Sequence, residues 1–214
     1  MSRLHADVIA QTGQTDANAL RRPMSISDWT FALGLPLTEQ QFVAAKPYSD
    51  FCYVPPPLLS WTDYRAAVIA PFERLIQPLA QVGLHIAGYV SLVQYARLMT
   101  RQRSVVLFTH CARNSLLEFR GGLTDFNSLA GRIDANYMGI SEVCACAPHG
   151  LQEQLKAHAP NAVFKVSNVQ LSLRLWMTYY SSLLSAFARE RCDFVTATFL
   201  AQDFIRKRPE DLQR

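Results

Sequence analysis

The sequence predicts an α/β fold, a mostly parallel sheet covered by helices on both faces. Three observations carry this reading. Short apolar runs suited to strands alternate with amphipathic segments of helical period from about residue 83 onward. The run Ser104-Val-Val-Leu-Phe-Thr-His110 is apolar without alternation, which marks a strand buried on both faces. Half of the 214 residues are hydrophobic and 18% are charged, enough apolar material for a sizeable core.

In chain order, residues 1–22 are polar and without a clear period, and read as a loose arm. Residues 23–60 mix apolar patches with breakers, notably Pro47 and the triplet Pro55-Pro56-Pro57. They read as irregular structure or short helices, so residues 1–80 form an N-terminal extension packed on a domain spanning 81–214. Within that extension, 60–81 has helical spacing interrupted at Pro71 and Pro78, giving one kinked helix or two short ones. Strands are expected over 83–90, 104–110, 139–146 and 161–167. The intervening helices are 91–102, with Ser91 as its N-cap, then 149–159, 171–190 and 194–207.

Several function classes recede on composition. A net charge of +4 comes from scattered basic residues rather than a stripe, so no direct nucleic-acid binding is expected. The N-terminus lacks the apolar run of a signal peptide, and no stretch is long and uncharged enough for a transmembrane helix. Five cysteines, an odd number without a secretory signal, suggest thiols in a reducing, cytoplasmic compartment.

Chemistry is expected at the carboxyl ends of parallel strands. The strand ending at His110 and the strand ending at Cys146 each present a reactive group there. An imidazole that takes the thiol proton turns a cysteine into a nucleophile. Other readings of the same residues stand beside this one. Cys144 is core filler two residues back on its strand, and His110 also fits a hydrogen-bonded strand-end histidine. Cys144, Cys146 and His149, with His110 or Cys111, make a candidate zinc set, although C-x-C within a strand is awkward for one ion. Cys52 and Cys192 read as structural, and Trp29, Trp61 and Trp176 as core.

The segments VVLFTHCARNSLLEFRGGLTDFNSLAGRI, GISEVCACAPHGL and NAVFKVSNVQLSLRLWMTYYSSLLSAFA resemble the caspase-like CHAT peptidases, most specifically over 104–150. That family has a strand ending in a catalytic histidine, a segment like LEFRGGLTDFNSLA, and a strand ending in a motif like L-S-A-C-E-T-G. The resemblance implies a caspase-like fold and a cysteine endopeptidase with a His110–Cys146 dyad. It implies an oxyanion held by the backbone N–H groups of Cys111 and Cys146. It implies a protein substrate, no cofactor, and control by an associated regulatory protein.

Two positions depart from the pattern: Cys111 replaces the glycine after the histidine, and Ala147-Pro148-His149 replaces E-T-G. An inactive caspase-like module that binds a protein partner is the alternative, and a zinc-stabilised interaction domain is a third reading. For substrate preference, Asp125 or Asp134 would favour a basic side chain beside the cut, and Arg113 or Arg120 an acidic one.

Overall fold

The computed structural model describes residues 20–49, 60–100, 103–112, 116–145, 150–166 and 172–207. Five parallel strands form the central sheet in the order β2-β1-β3-β7-β8. They are β1 (Trp29–Leu33), β2 (His85–Ala87), β3 (Ser104–Phe108), β7 (Ile140–Cys144) and β8 (Val163–Val166). Between β3 and β7 the chain makes a small antiparallel sheet of β4 (Cys111–Ala112), β5 (Leu116–Phe119) and β6 (Gly122–Asp125).

The helices are α1 (Glu39–Ala45), α2 (Trp61–Tyr64), α3 (Ala70–Leu75), α4 (Leu92–Leu98), α5 (Phe126–Ala130), α6 (Leu151–His158), α7 (Leu173–Arg189) and α8 (Phe194–Arg206). Alternation along the strands divides the core in two. Phe31, Leu33, Val106, Phe108 and Cys144 face one apolar cluster with α2, α3, α7 and α8. Ala32, Val105, Leu107 and Val143 face a second cluster with α4, α5 and α6. The sheet is therefore flanked by helices on both sides, and β1, β3 and β7 are fully buried.

Most of the helices start where the sequence offers a side-chain cap. Ser91 Oγ accepts from Gln94 N–H while Gln94 Oε1 accepts from Ser91 N–H, a capping box that opens α4 as expected. Ser172 and Asp193 cap α7 and α8 by accepting from Leu175 N–H and Thr196 N–H. The expected break at Pro71 is a widened turn. A π-helical segment, Arg65–Ile69, joins α2 to α3 and lets Pro71 sit at the start of α3 without its missing donor. Pro78 opens a 3-10 turn, Gln77–Val82, that ends at Gly83 in a left-handed conformation.

Two features lie outside the expected pattern. The segment before residue 81 supplies β1, which pairs with both β2 and β3 in the interior of the sheet. It also supplies α2 and α3 to one face, so its Phe31, Tyr64 and Phe72 belong to the same cluster as α7. The antiparallel β4–β6 unit has its own register, with Leu117 opposite Thr124 and Phe119 opposite Gly122. Gly121 and Gly122 both adopt positive φ at its turn.

Candidate functional site

The strand order reverses at β1. The chain leaves β1 for β2 on one side, then crosses to β3 on the other, so the carboxyl ends of β1 and β3 form the switch point at which open parallel sheets bind their ligands. A collar of backbone hydrogen bonds joins the strand ends around it. Val90 N–H donates to Leu33 O at 2.9 Å, Gly34 N–H to Phe108 O at 2.9 Å, and Thr109 N–H to Cys144 O at 3.0 Å. From the small sheet, Glu118 N–H donates to His110 O and Arg120 N–H to Val90 O, both at 2.9 Å. Gly34 is required by this closeness: a Cβ there would lie 2.6 Å from Thr109 Oγ1 and 2.8 Å from Glu118 O.

His110 follows β3 by two residues and is half-buried, its carbonyl pinned by Glu118. Cys111 begins β4 opposite Leu117 and packs against the cluster on the α4–α6 face. Cys144 ends β7, paired with Phe108, and is 2% exposed within the opposite cluster. The Tyr180 hydroxyl hydrogen-bonds its thiol; burial first, then Glu142 and Cys144, push that hydroxyl well above its ordinary pKa. The reading of Cys144 as core filler is thus the structural one.

Cys146, with Ala147, Pro148 and His149, lies outside the described residues, as do Cys52 and Arg113. The expected dyad partner of His110, the Cys146 half of the oxyanion pair and two of the zinc candidates therefore have no described geometry. Among the described residues, no group of three or more His, Cys, Asp or Glu side chains is arranged to hold a metal ion.

The candidate specificity residues have structural duties. Asp125 caps α5, accepting from Ser128 N–H at 2.8 Å and from its hydroxyl at 2.7 Å. The hydrogen bonds from Ser128 hold its carboxyl below the ordinary value. Asp134 accepts from Asn136 N–H in a turn, and Arg120 donates to Gln94 Oε1 at 2.8 Å. Trp29 is fully buried, stacked on Phe187 and Phe194. Trp176 stacks on Tyr180, and Trp61 on Tyr64.

Two polar clusters escaped the sequence reading. On β5, Glu118 is fully buried and its Oε2 accepts from Ser49 Oγ at 2.8 Å. Around it stand Tyr64, which donates to Pro36 O, and Tyr89, whose hydroxyl lies 3.0 Å from that of Tyr48. Burial, and then the Glu118 carboxylate and Tyr89, hold the Tyr64 hydroxyl protonated far above its usual range. Tyr89 reaches this place at φ 44°, a left-handed conformation that costs a bulky residue strain.

The second cluster lies on the α7–α8 face, where Glu142 on β7 and Lys165 on β8 form an ion pair completed by the Tyr179 hydroxyl. The signal for both was present. Each acid is the single charge in a strand that otherwise reads as buried, LLEF or ISEVC, and Lys165 is the single charge of VFKV.

Comparison with protein-family models, with curated proteins and with solved structures gives no match. The fold defines the class: an α/β protein whose five-stranded parallel sheet is flanked by helices on both faces. No helix among the described residues is long and apolar enough to cross a membrane.

Proposed function

We propose that the chain is a cysteine endopeptidase of the caspase-like class, with Cys146 as nucleophile and His110 as its base. The observation that supports this is the parallel pairing of Phe108 with Cys144. His110 and Cys146 each follow their paired residue by two positions in the sequence. His110 also stands at the carboxyl edge of the sheet, half-buried and held by its carbonyl.

The chemistry would run in two halves. His110 takes the Cys146 proton, and the thiolate sulfur bonds to a peptide carbonyl carbon, pushing its electron pair onto oxygen. The backbone N–H groups of Cys111 and Cys146 receive that oxyanion. As the C–N bond breaks, the proton passes from His110 to the leaving amine, leaving a thioester. Water then gives a proton to His110 and adds to the thioester, releasing the acid and restoring the thiol. The substrate is a protein, and the resemblance to CHAT peptidases supports control by a separate regulatory protein.

Alkylation with iodoacetamide under native conditions, followed by peptide mass mapping, tests the dyad. Cys146 reacts first among the five cysteines, and His110→Ala slows it by about tenfold or more at neutral pH. A Cys146 that labels no faster than Cys192, with or without His110, overturns the peptidase reading. The inactive partner-binding module then takes its place.

A further inference from the structure

The small sheet carries a buried acid that the dyad chemistry leaves unused. Glu118 is fully buried on β5, the one charge in the strand LLEF. Its backbone brackets the chain that bears His110. Glu118 N–H donates to His110 O at 2.9 Å, and Glu118 O accepts from the Thr109 hydroxyl. The β4–β5 ladder sets Ala112 opposite Leu116 and Cys111 opposite Leu117. The next step of that register sets His110 opposite Glu118, and the bond between their backbones is one that such a pair makes. Directly opposite residues of an antiparallel pair share a face, with Cβ atoms about 5 Å apart. Cys111 and Leu117 pack toward α4–α6, so alternation turns the Glu118 and His110 side chains the other way.

On that side the carboxylate is held in place. Ser49 Oγ, after α1, donates to Glu118 Oε2 at 2.8 Å. Tyr64 of α2 and Tyr89 before α4 also stand near it. Burial above all, with the Glu118 charge adding to it, keeps both hydroxyls protonated well above the ordinary tyrosine range. Neither therefore adds a negative charge at neutral pH. Arg120, after β5, donates to Gln94 Oε1. Among the described residues, the other titratable groups on the elements packed here are Tyr48 after α1 and the Cys111 and Cys144 thiols. An anion held in a buried site favours a cation across a strand pair more strongly than it would in water. A base that takes a thiol proton works best when a third group holds it in place.

We propose that Glu118 is the positioning residue of His110. Its backbone fixes the segment that carries the imidazole, and its carboxylate, acting by charge across the strand pair, stabilises the imidazolium formed when His110 takes the Cys146 proton. This rests on the reading of His110 as the base of the dyad. The coupling itself is measured on His110, so the two ideas fail separately.

Proton NMR titration of the histidine ring signals tests it, with His110 assigned by its absence from a His110→Ala variant. A Cys146→Ala background removes any contribution from a thiolate. In that background His110 should titrate above the ordinary value of about 6.5. Adding E118Q should lower it by about one unit or more, and E118D, which keeps the charge, should restore most of the shift. With Cys146 present, E118Q should slow iodoacetamide alkylation of that thiol several-fold at neutral pH, and E118D should recover most of the rate. Circular dichroism melting shows whether each variant is folded. A His110 that titrates at or below the ordinary value in the Cys146→Ala background overturns the proposal, even where E118Q fails to fold. So does a folded E118Q variant with an unchanged His110 titration. A His110 titration that follows Glu118, beside a Cys146 that labels no faster than Cys192, overturns the dyad and leaves the Glu118–His110 coupling standing.

Discussion

Glu142 on β7 and Lys165 on β8 are Cα partners in the parallel register, and their side chains meet as an ion pair beneath α7 and α8. Glu142 is 2% exposed, Lys165 29%, and the ammonium also contacts the Tyr179 hydroxyl at 2.8 Å and lies over the Phe194 ring at 5.5 Å. The pair forms because two neighbouring strands each carry one charge at the same level of the sheet.

Removing one partner is therefore expected to cost more than removing both. Lys165→Met leaves a buried carboxylate and should destabilise the fold by about 3 kcal/mol in urea denaturation. Adding Glu142→Met to it should restore a large part of that loss, since two apolar side chains of similar length need no charge partner. Equal losses in the single and double variants would show that the pair contributes nothing to one another.

The same pair sets an alkaline limit. Burial by itself would lower the Lys165 pKa, but the Glu142 carboxylate and the Tyr179 hydroxyl outweigh it and raise the group above its ordinary value. A pKa raised in the folded state gives stability that is complete below the unfolded value, about 10.4, and is lost as pH climbs from there through the folded value. The melting temperature of the parent should thus fall more steeply above about pH 10.5 than that of a Lys165→Met, Glu142→Met double variant.

Gly34 tests the collar around His110. Gly34→Ala would place a methyl group within 2.8 Å of both Thr109 Oγ1 and Glu118 O, so the β3 end or the small sheet must shift to admit it. A loss of about 2 kcal/mol is expected, in the range for overpacking. Hydrogen exchange should locate it at residues 108–110 and 118, and the alkylation rate of Cys146 should change with it if the thiol depends on His110.

Cys192 provides an internal control for thiol chemistry. Burial, then Asp193 and Glu190, push its thiol above the ordinary cysteine value, so it is a slow nucleophile near neutral pH. Glu190→Gln removes one of the two carboxylates and should speed its alkylation at pH 8 by less than about tenfold, measured by mass mapping. A slower rate would contradict the electrostatic cause.

Much of the parallel sheet was legible because a strand buried on both faces must be apolar throughout, as VVLF in β3 is. Its ends were not. The ladders stop at Phe108 and Cys144 rather than at 110 and 146, since Thr109 turns toward the small sheet to bond Glu118 O. The β1 strand was missed for a related reason. WTFAL is only five residues long, is flanked by Pro23, Gly34 and Pro36, and being wholly buried it shows no alternation. The antiparallel turn at Gly121-Gly122 carried a signal in its glycine pair, but the strands beside it are only four residues each.

By itself the sequence determined which segments are apolar enough to be buried and where most of the helices are capped. Those are local properties, set by hydrophobic period and by hydrogen bonding within a few residues. Only the tertiary structure decided that residues before 81 supply a central strand, that Glu142 meets Lys165, and that Glu118 is buried beside Tyr64 and Tyr89. Each of these joins groups that are tens of residues or more apart. Their proximity is set by strand order and register, which follow from how the whole apolar surface is buried rather than from any stretch of the chain.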